Sequence, residues 1–341
     1  MKKIMAILNL TPDSFFPDSR LIAEDGRFDA ADFVARVETA LAQGADIIDL
    51  GACSTRPGSQ PVSAEEEWAR LQPALALWKT HFRAVPLSVD TFRSELALRC
   101  ADYTDTLIVN DISAGDADEK MLSAVASLGC GYVAMHHTLL SDAPGPDAAQ
   151  QLVGFTPEEN GEVGSLEGGN TPGEGMAGGC VSGDGLKDGE VTGESLVDGE
   201  GSITEECPWA VRQLNAWYDL FEQKADAAGL QDWWFDPGFG FGKTLSQNWT
   251  ILRHLEKLPH RRPILVGLSR KSMLHKLLSP THLAPSPAAP GLRPDSSLEV
   301  PDSSPDPASR PETLLLTRLA NRLALSGGAS IFRVHDPARV F

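Results

Sequence analysis

The chain has 341 residues, 42% of them hydrophobic and 22% charged, with a formal net charge of −18. No apolar run approaches the roughly 18 residues that a membrane-crossing helix needs, and no basic stripe for nucleic acid is visible, so neither a membrane nor a nucleic-acid partner is expected. The five cysteines are odd in number and lack C-x-x-C spacing, which argues against a disulfide framework or a cysteine zinc site and fits a cytoplasmic location.

Residues 1–10 place lysines before a short apolar stretch, but Thr11-Pro12-Asp13 stand where a signal peptide would have its cleavage site. The segment reads as a strand over 4–8. Further short apolar runs follow at 46–50, 86–89, 106–109, 131–135, 233–235, 263–268 and 330–334, making eight. Amphipathic stretches such as 28–42 and 208–228 lie between them, and Ser63-x-x-Glu66 has the pattern of a capping box.

Two segments interrupt the alternation. Residues 141–205 hold 14 acidic residues against the single base Lys187, and residues 279–311 hold nine prolines. Both have too little apolar surface to offset their chain entropy, which predicts disordered insertions. The acidic tract matches neither EF-hand nor nonapeptide calcium spacing. The 243 residues that remain come close to the roughly 250 of a (β/α)8 TIM barrel. Eight strands alternating with helices predict parallel pairing with right-handed crossovers, in a single domain over 1–341.

Polar residues fall at every strand end. Asn9 closes the first run, Ser54-Thr55-Arg56 follow the second, Asp90 closes the third, Asn110-Asp111 the fourth and His136 the fifth. Asp236 closes the sixth, Ser269-Arg270-Lys271 the seventh, and Arg333 and His335 the eighth. One such residue is usually a cap or turn residue, but eight sets at eight ends converge on the mouth of a barrel, where active sites sit.

The stretch 235–243, Phe-Asp-Pro-Gly-Phe-Gly-Phe-Gly-Lys, puts a carboxylate at the end of an apolar run. Its alternate glycines allow a bend that is expected to throw two aromatic rings and Lys243 outward. It is one residue too short for a P-loop and misspaced for a dinucleotide loop. An acid beside flat rings suits a flat, nitrogen-rich heterocycle. Asp90, Asn110, Asp236 and Lys271 can hydrogen-bond the edge of such a ring, or else form a buried salt bridge. Arg56, Arg333 and His335 form a cationic set suited to phosphate or carboxylate, Asn9 could hold a magnesium ion, and Lys271-Ser272 open a helix whose N-terminus could accept an anion.

These motifs resemble those of dihydropteroate synthase. The matching segments are Ile7-Leu8-Asn9-Leu10-Thr11-Pro12-Asp13-Ser14-Phe15, Gly44-Ala45-Asp46-Ile47-Ile48-Asp49-Leu50-Gly51, Ser54-Thr55-Arg56-Pro57-Gly58, Ser88-Val89-Asp90-Thr91, Asn110-Asp111-Ile112, Met135-His136, 235–243, Ser269-Arg270-Lys271-Ser272 and Arg333-Val334-His335-Asp336. The resemblance implies a TIM-barrel transferase of folate synthesis that joins 4-aminobenzoate to 6-hydroxymethyl-dihydropterin diphosphate, releases pyrophosphate and is open to sulfonamides. It implies that Asp90, Asn110, Met135, Asp236 and Lys271 hold the pterin, with Asp90, Asp236 and Lys271 catalytic. Asn9 would bind Mg2+ with the diphosphate, Arg333 and His335 would clamp the leaving group, and Thr55, Arg56, Pro57, Phe241 and Ser272 would seat the aminobenzoate.

The chain departs from the pattern at Cys53, at Phe16-Pro17-Asp18-Ser19-Arg20 and at His137. Its N-terminal lead-in is short and the eighth helix is truncated or missing, which is expected to leave the first and eighth strands partly uncovered for a partner subunit in a homodimer. Two other readings share the pterin pocket. A pterin-binding methyltransferase domain would have no use for the diphosphate clamp, and a catalytically degenerate paralogue would bind without turnover.

Overall fold

The computed structural model describes residues 2–11, 28–53, 62–141, 207–276 and 310–341. The two expected insertions lie outside these residues, apart from their terminal positions. Eight strands run β1 (Lys3–Asn9), β2 (Ile47–Gly51), β3 (Leu87–Asp90), β4 (Leu107–Asp111), β5 (Gly131–Met135), β6 (Trp233–Asp236), β7 (Leu265–Val266) and β8 (Ile331–Val334). The sheet order is β6-β5-β4-β3-β2-β1-β8-β7 with every pair parallel, and a bridge between Phe235 and Ile264 closes the ring. The chain therefore folds as the (β/α)8 barrel that the alternation predicts.

Helices wrap the outside as α1 (Ala30–Ala42), α2 (Ala64–His81), α3 (Ser94–Cys100), α4 (Met121–Leu128), α5 (Trp209–Ala228), α6 (Leu245–Arg253), α7 (Ser272–Lys276) and α8 (Pro311–Ser326). The two-residue period of each strand sorts its side chains between two cores. Met5, Ile47, Ile108, Val133, Trp234, Leu265 and Ile331 pack together inside the ring, one from each strand except β3. Their alternates, such as Ala6, Ile48, Val109, Tyr132, Phe235 and Phe332, face the helices. This parity decides which residue at each strand end looks into the mouth.

Two local expectations change. Ser63 does cap α2, its Oγ accepting the Glu66 N–H at 3.1 Å, but the Glu66 carboxylate turns to Arg70 instead of completing the box. A reciprocal capping box occurs at α6, where Thr244 Oγ1 accepts from Gln247 N and Gln247 Oε1 accepts from Thr244 N. After β8 the described chain makes only a 3-10 turn, Pro337–Arg339. Yet β8 is covered: Phe341 packs edge-on to Phe332 at 4.9 Å, and Arg318 and Asn321 of α8 donate to the Phe341 and Val340 carbonyls. On β1, Ile4 and Leu8 remain half-buried, so the expected uncovering applies to that strand alone.

Candidate active site

Strand register places the residues at one level. Asn9 pairs with Gly51, Gly51 with Asp90, and Asp90 with Asn110, so three polar side chains share one row across four strands. Gly51 keeps this row open, because a Cβ on it would press on Asn9 Oδ1 at 3.3 Å and touch Asp90 Cβ at 3.7 Å. On the far side Met135 pairs with Asp236, both buried.

A charged cluster spans the mouth. Arg333 donates from Nε to Asp49 Oδ2 at 2.7 Å and from Nη2 to Asp90 Oδ2 at 2.6 Å. Asp49 is fully buried and also accepts from Ser88 Oγ. Burial pushes the Asp90 carboxyl up to about 7, against the pull of Arg333. Burial opposes the Arg333 charge too, but Asp49 and Asp90 outweigh it and hold the guanidinium above its ordinary value. Asp236 is likewise raised by burial, with the Gly238 N–H, 2.7 Å from its Oδ1, and Lys271 working the other way. Lys271 is lowered to about 8 by burial, which Asp236 and Asp90 partly offset.

The turn before α7 aims two of these groups. Arg270 has φ 59°, a left-handed conformation that costs a non-glycine residue about 1–2 kcal/mol. It separates Ser269, whose Oγ lies 3.1 Å from His335 Nδ1, from Lys271, whose Nζ donates to the Phe239 carbonyl at 2.6 Å. The Lys271 ammonium also lies 4.1 Å from the centroid of the Phe241 ring.

The structure thus gathers Asp90, Asn110, Met135, Asp236, Lys271, Phe241 and Arg333 around one opening, with Asn9 in the same row as Asp90. His335 lies two residues beyond Arg333 and is held by Ser269. Ser272 is exposed at the start of α7, a helix of only five residues, too short for the anion seat expected there. Thr55, Arg56 and Pro57 lie outside the described residues, but both flanks of that loop are tied: Arg70 donates to the Ala52 carbonyl at 3.0 Å and Arg93 to that of Val62.

Four side chains sit otherwise than expected. Phe239 and Lys243 do not project outward: Phe239 is buried, and the Lys243 ammonium is surrounded by carbonyls beneath the loop. His136 faces away from the mouth, edge-on to Trp217 of α5 at 5.3 Å. Asp111 has the same outward parity and organises the loop after β4 by accepting from Ser113, Gly115 and Tyr132.

Asp49 and Asn248 carry functional geometry without having been given a role from the sequence, although Asp49 falls within the matching segment Gly44–Gly51. Asp49 had a signal, a charge inside an apolar run at the parity of Ile47. Asn248 of α6 had none; its Oδ1 accepts the Gly240 N–H at 2.7 Å and its Nδ2 donates to the Thr244 carbonyl at 2.7 Å, bracing the loop after β6. Among the described residues no group of three or more His, Cys, Asp or Glu could hold a metal. A magnesium ion that keeps its waters and binds substrate phosphates needs only one or two protein oxygens, which Asn9 Oδ1 fits.

The family described as pterin binding enzyme matches residues 5–154 and 208–335. A dihydropteroate synthase of Neisseria meningitidis serogroup C is 30% identical over 338 residues, covering 98% of this chain and 87% of that protein. Among solved structures, a Yersinia pestis dihydropteroate synthase in complex with a sulfonamide drug aligns with a TM-score of 0.62 at 26% identity, over 99% of this chain and 90% of that one. A Xanthomonas albilineans dihydropteroate synthase with 4-aminobenzoic acid aligns with a TM-score of 0.62 at 25% identity, over 99% and 89%.

Proposed function

The chain belongs to the pterin-binding enzyme family, and from that membership, together with the charged mouth, we infer that it is a transferase of folate synthesis with dihydropteroate synthase activity. It condenses 6-hydroxymethyl-7,8-dihydropterin diphosphate with 4-aminobenzoate to 7,8-dihydropteroate and pyrophosphate. The observation that carries this reading is the charged set Asp90, Asp236, Lys271 and Arg333 at one barrel mouth, where burial raises the two carboxyls and lowers the Lys271 ammonium while their opposite charges resist the shift.

In the mechanism we propose, Asp90, Asn110 and Asp236 hydrogen-bond the N–H edge of the pterin, with Lys271 beside them and Met135 beneath the ring. Asn9 and His335 face the diphosphate. Arg333 bonds to Asp49 and Asp90 here, so it balances the carboxylates under the pterin as well as attracting the leaving group. The bound magnesium ion, held by Asn9, would neutralise diphosphate charge. As the C–O bond to pyrophosphate breaks, positive charge grows on the pterin methylene and the buried carboxylates stabilise it. The aniline nitrogen then forms the C–N bond and gives up a proton. No protein nucleophile is required, and catalysis rests on positioning and fixed charge. Phe241 and Ser272, with Thr55, Arg56 and Pro57, would seat the aminobenzoate, and a sulfonamide would compete there.

Two further assignments belong to this proposal. The scattered cysteines, four of which are thiols outside any disulfide among the described residues, support a cytoplasmic enzyme. On α8, Leu315, Leu319 and Leu323 recur every fourth residue with 55%, 52% and 39% exposure, a stripe that supports pairing of two copies into a homodimer.

The test is pyrophosphate release by the purified chain with pterin diphosphate, magnesium and 4-aminobenzoate. Release that depends on aminobenzoate and is suppressed by a sulfonamide is expected. A folded chain that binds pterin without release would leave the degenerate reading in its place.

A further inference from the structure

The ammonium of Lys243 is the hub of the loop after β6. It lies 2.9 Å from the Phe241 carbonyl, 3.0 Å from that of Gly238, 3.1 Å from that of His136 and 3.1 Å from His136 Nδ1. Four acceptors thus surround three N–H donors, more than a solvated surface lysine would collect. Beside the charged ammonium the imidazole is best placed with its lone pair at Nδ1 and its hydrogen on Nε2, 3.2 Å from Thr138 Oγ1. Burial and the nearby ammonium push His136 down to about 3, so it is neutral and able to accept.

The loop also lies directly on the end of β5. At Gly238, φ is 69° and a Cβ would meet the His136 carbonyl oxygen at 2.0 Å and Lys243 Nζ at 3.2 Å. One side of the loop is therefore joined to β5 through Lys243, and the other to α6 through Asn248. Phe241, whose carbonyl bonds the ammonium, directs its ring toward Lys271 and the opening.

We propose that Lys243 is a positioning residue for the second substrate, gathering the Gly238, Phe241 and His136 carbonyls on one ammonium so that Phe241 is fixed in the aminobenzoate seat. The inference rests on the reading of Phe241 as part of that seat. A neutral side chain of similar length would leave the Phe241 and His136 carbonyls without their donor beneath the loop, the Gly238 carbonyl keeping the Phe241 N–H, and Phe241 would lose its fixed place while the strand-borne pterin residues kept theirs. The charged and titratable groups around Lys243 are Asp236 at the end of β6, Lys271 before α7 and His136 at the end of β5. Burial lowers the ammonium to about 7, with Asp236 opposing, so the hub loses its charge as pH rises through neutrality.

The experiment is steady-state pyrophosphate release by the full chain and its Lys243→Met variant, with each substrate varied in turn and pterin binding measured separately. The variant is expected to raise KM for 4-aminobenzoate by about tenfold or more while the pterin Kd stays within about twofold. In the unaltered chain that same KM is expected to climb between about pH 6 and 9, a trend the variant lacks. An unchanged KM in the variant, or a loss shared equally by pterin binding, overturns the proposal. If the variant does not fold, a KM that stays flat with pH in the unaltered chain overturns it. Absence of any aminobenzoate-dependent release from the unaltered chain would instead sink the functional reading.

Discussion

At the scale of single residues, the site works by placing opposite charges where water is scarce. Arg333 spans Asp49 and Asp90, and Asp49 is fully buried, so removing Asp49 leaves Arg333 with Asp90 alone, a cavity in the barrel and the Ser88 hydroxyl without its acceptor. Asp49→Ala is expected to destabilise the fold by about 3 kcal/mol in denaturant titration, whereas Asp49→Asn, which keeps an acceptor for Ser88, loses less. The pH dependence follows from the same burial. Asp90, at about 7, becomes an anion able to accept from the pterin as pH rises, and Lys271, at about 8, loses its charge on further rise. The profile of kcat/KM for the pterin substrate is therefore expected to be a narrow bell, with an acid limb near 7 and an alkaline limb near 8. Because the groups interact, the limbs belong to the cluster. Lys271→Met should remove the alkaline limb; a variant that retained it would show that Lys271 does not set it.

At the scale of elements, strand parity and helix ends decide more than residue identity. Asn110 and Asp111 are neighbours in sequence, yet one faces the mouth and the other supports a loop behind the sheet. Met135 and His136 divide in the same way. The helix ends differ as well. Thr244 makes a reciprocal capping box at α6, the helix whose Asn248 braces the loop after β6, while Ser63 at α2 makes half of one. Thr244→Ala is expected to cost about 1–2 kcal/mol and Ser63→Ala less, measured by the denaturation midpoints of the two variants. Because α6 carries that brace, Thr244→Ala should also weaken aminobenzoate binding.

At the scale of the whole molecule, one closed ring holds residues from both ends of the chain in a common site. Arg333 reaches Asp49 across 284 positions of sequence, so the site exists only once β8 has closed against β1. The described residues on either side of 142–206 are joined by Gln213, which bonds the Ser141 backbone and hydroxyl. Replacing 142–206 by a short linker is therefore expected to leave both KM values within about twofold; a larger change in turnover would assign that segment a part in catalysis. The exposed leucines of α8 make a second test. Leu319→Lys should shift the chain to monomer in sedimentation velocity if two copies pair there.

Much of this was legible in the linear chain. Apolar runs alternating with amphipathic stretches determine eight parallel strands, because period and spacing are local properties of the sequence. Polar residues at the run ends determine Asp90, Asn110, Asp236, Lys271 and Arg333 as a candidate set, because a barrel collects strand ends at one face. The linear chain could not tell which of two neighbouring residues faces inward, nor what each charge would meet. Asp49 became a partner of Arg333, and Lys243 turned under its loop, only through contacts between strands far apart in sequence. Those contacts are set by register and by the closure of the ring, which no local pattern encodes.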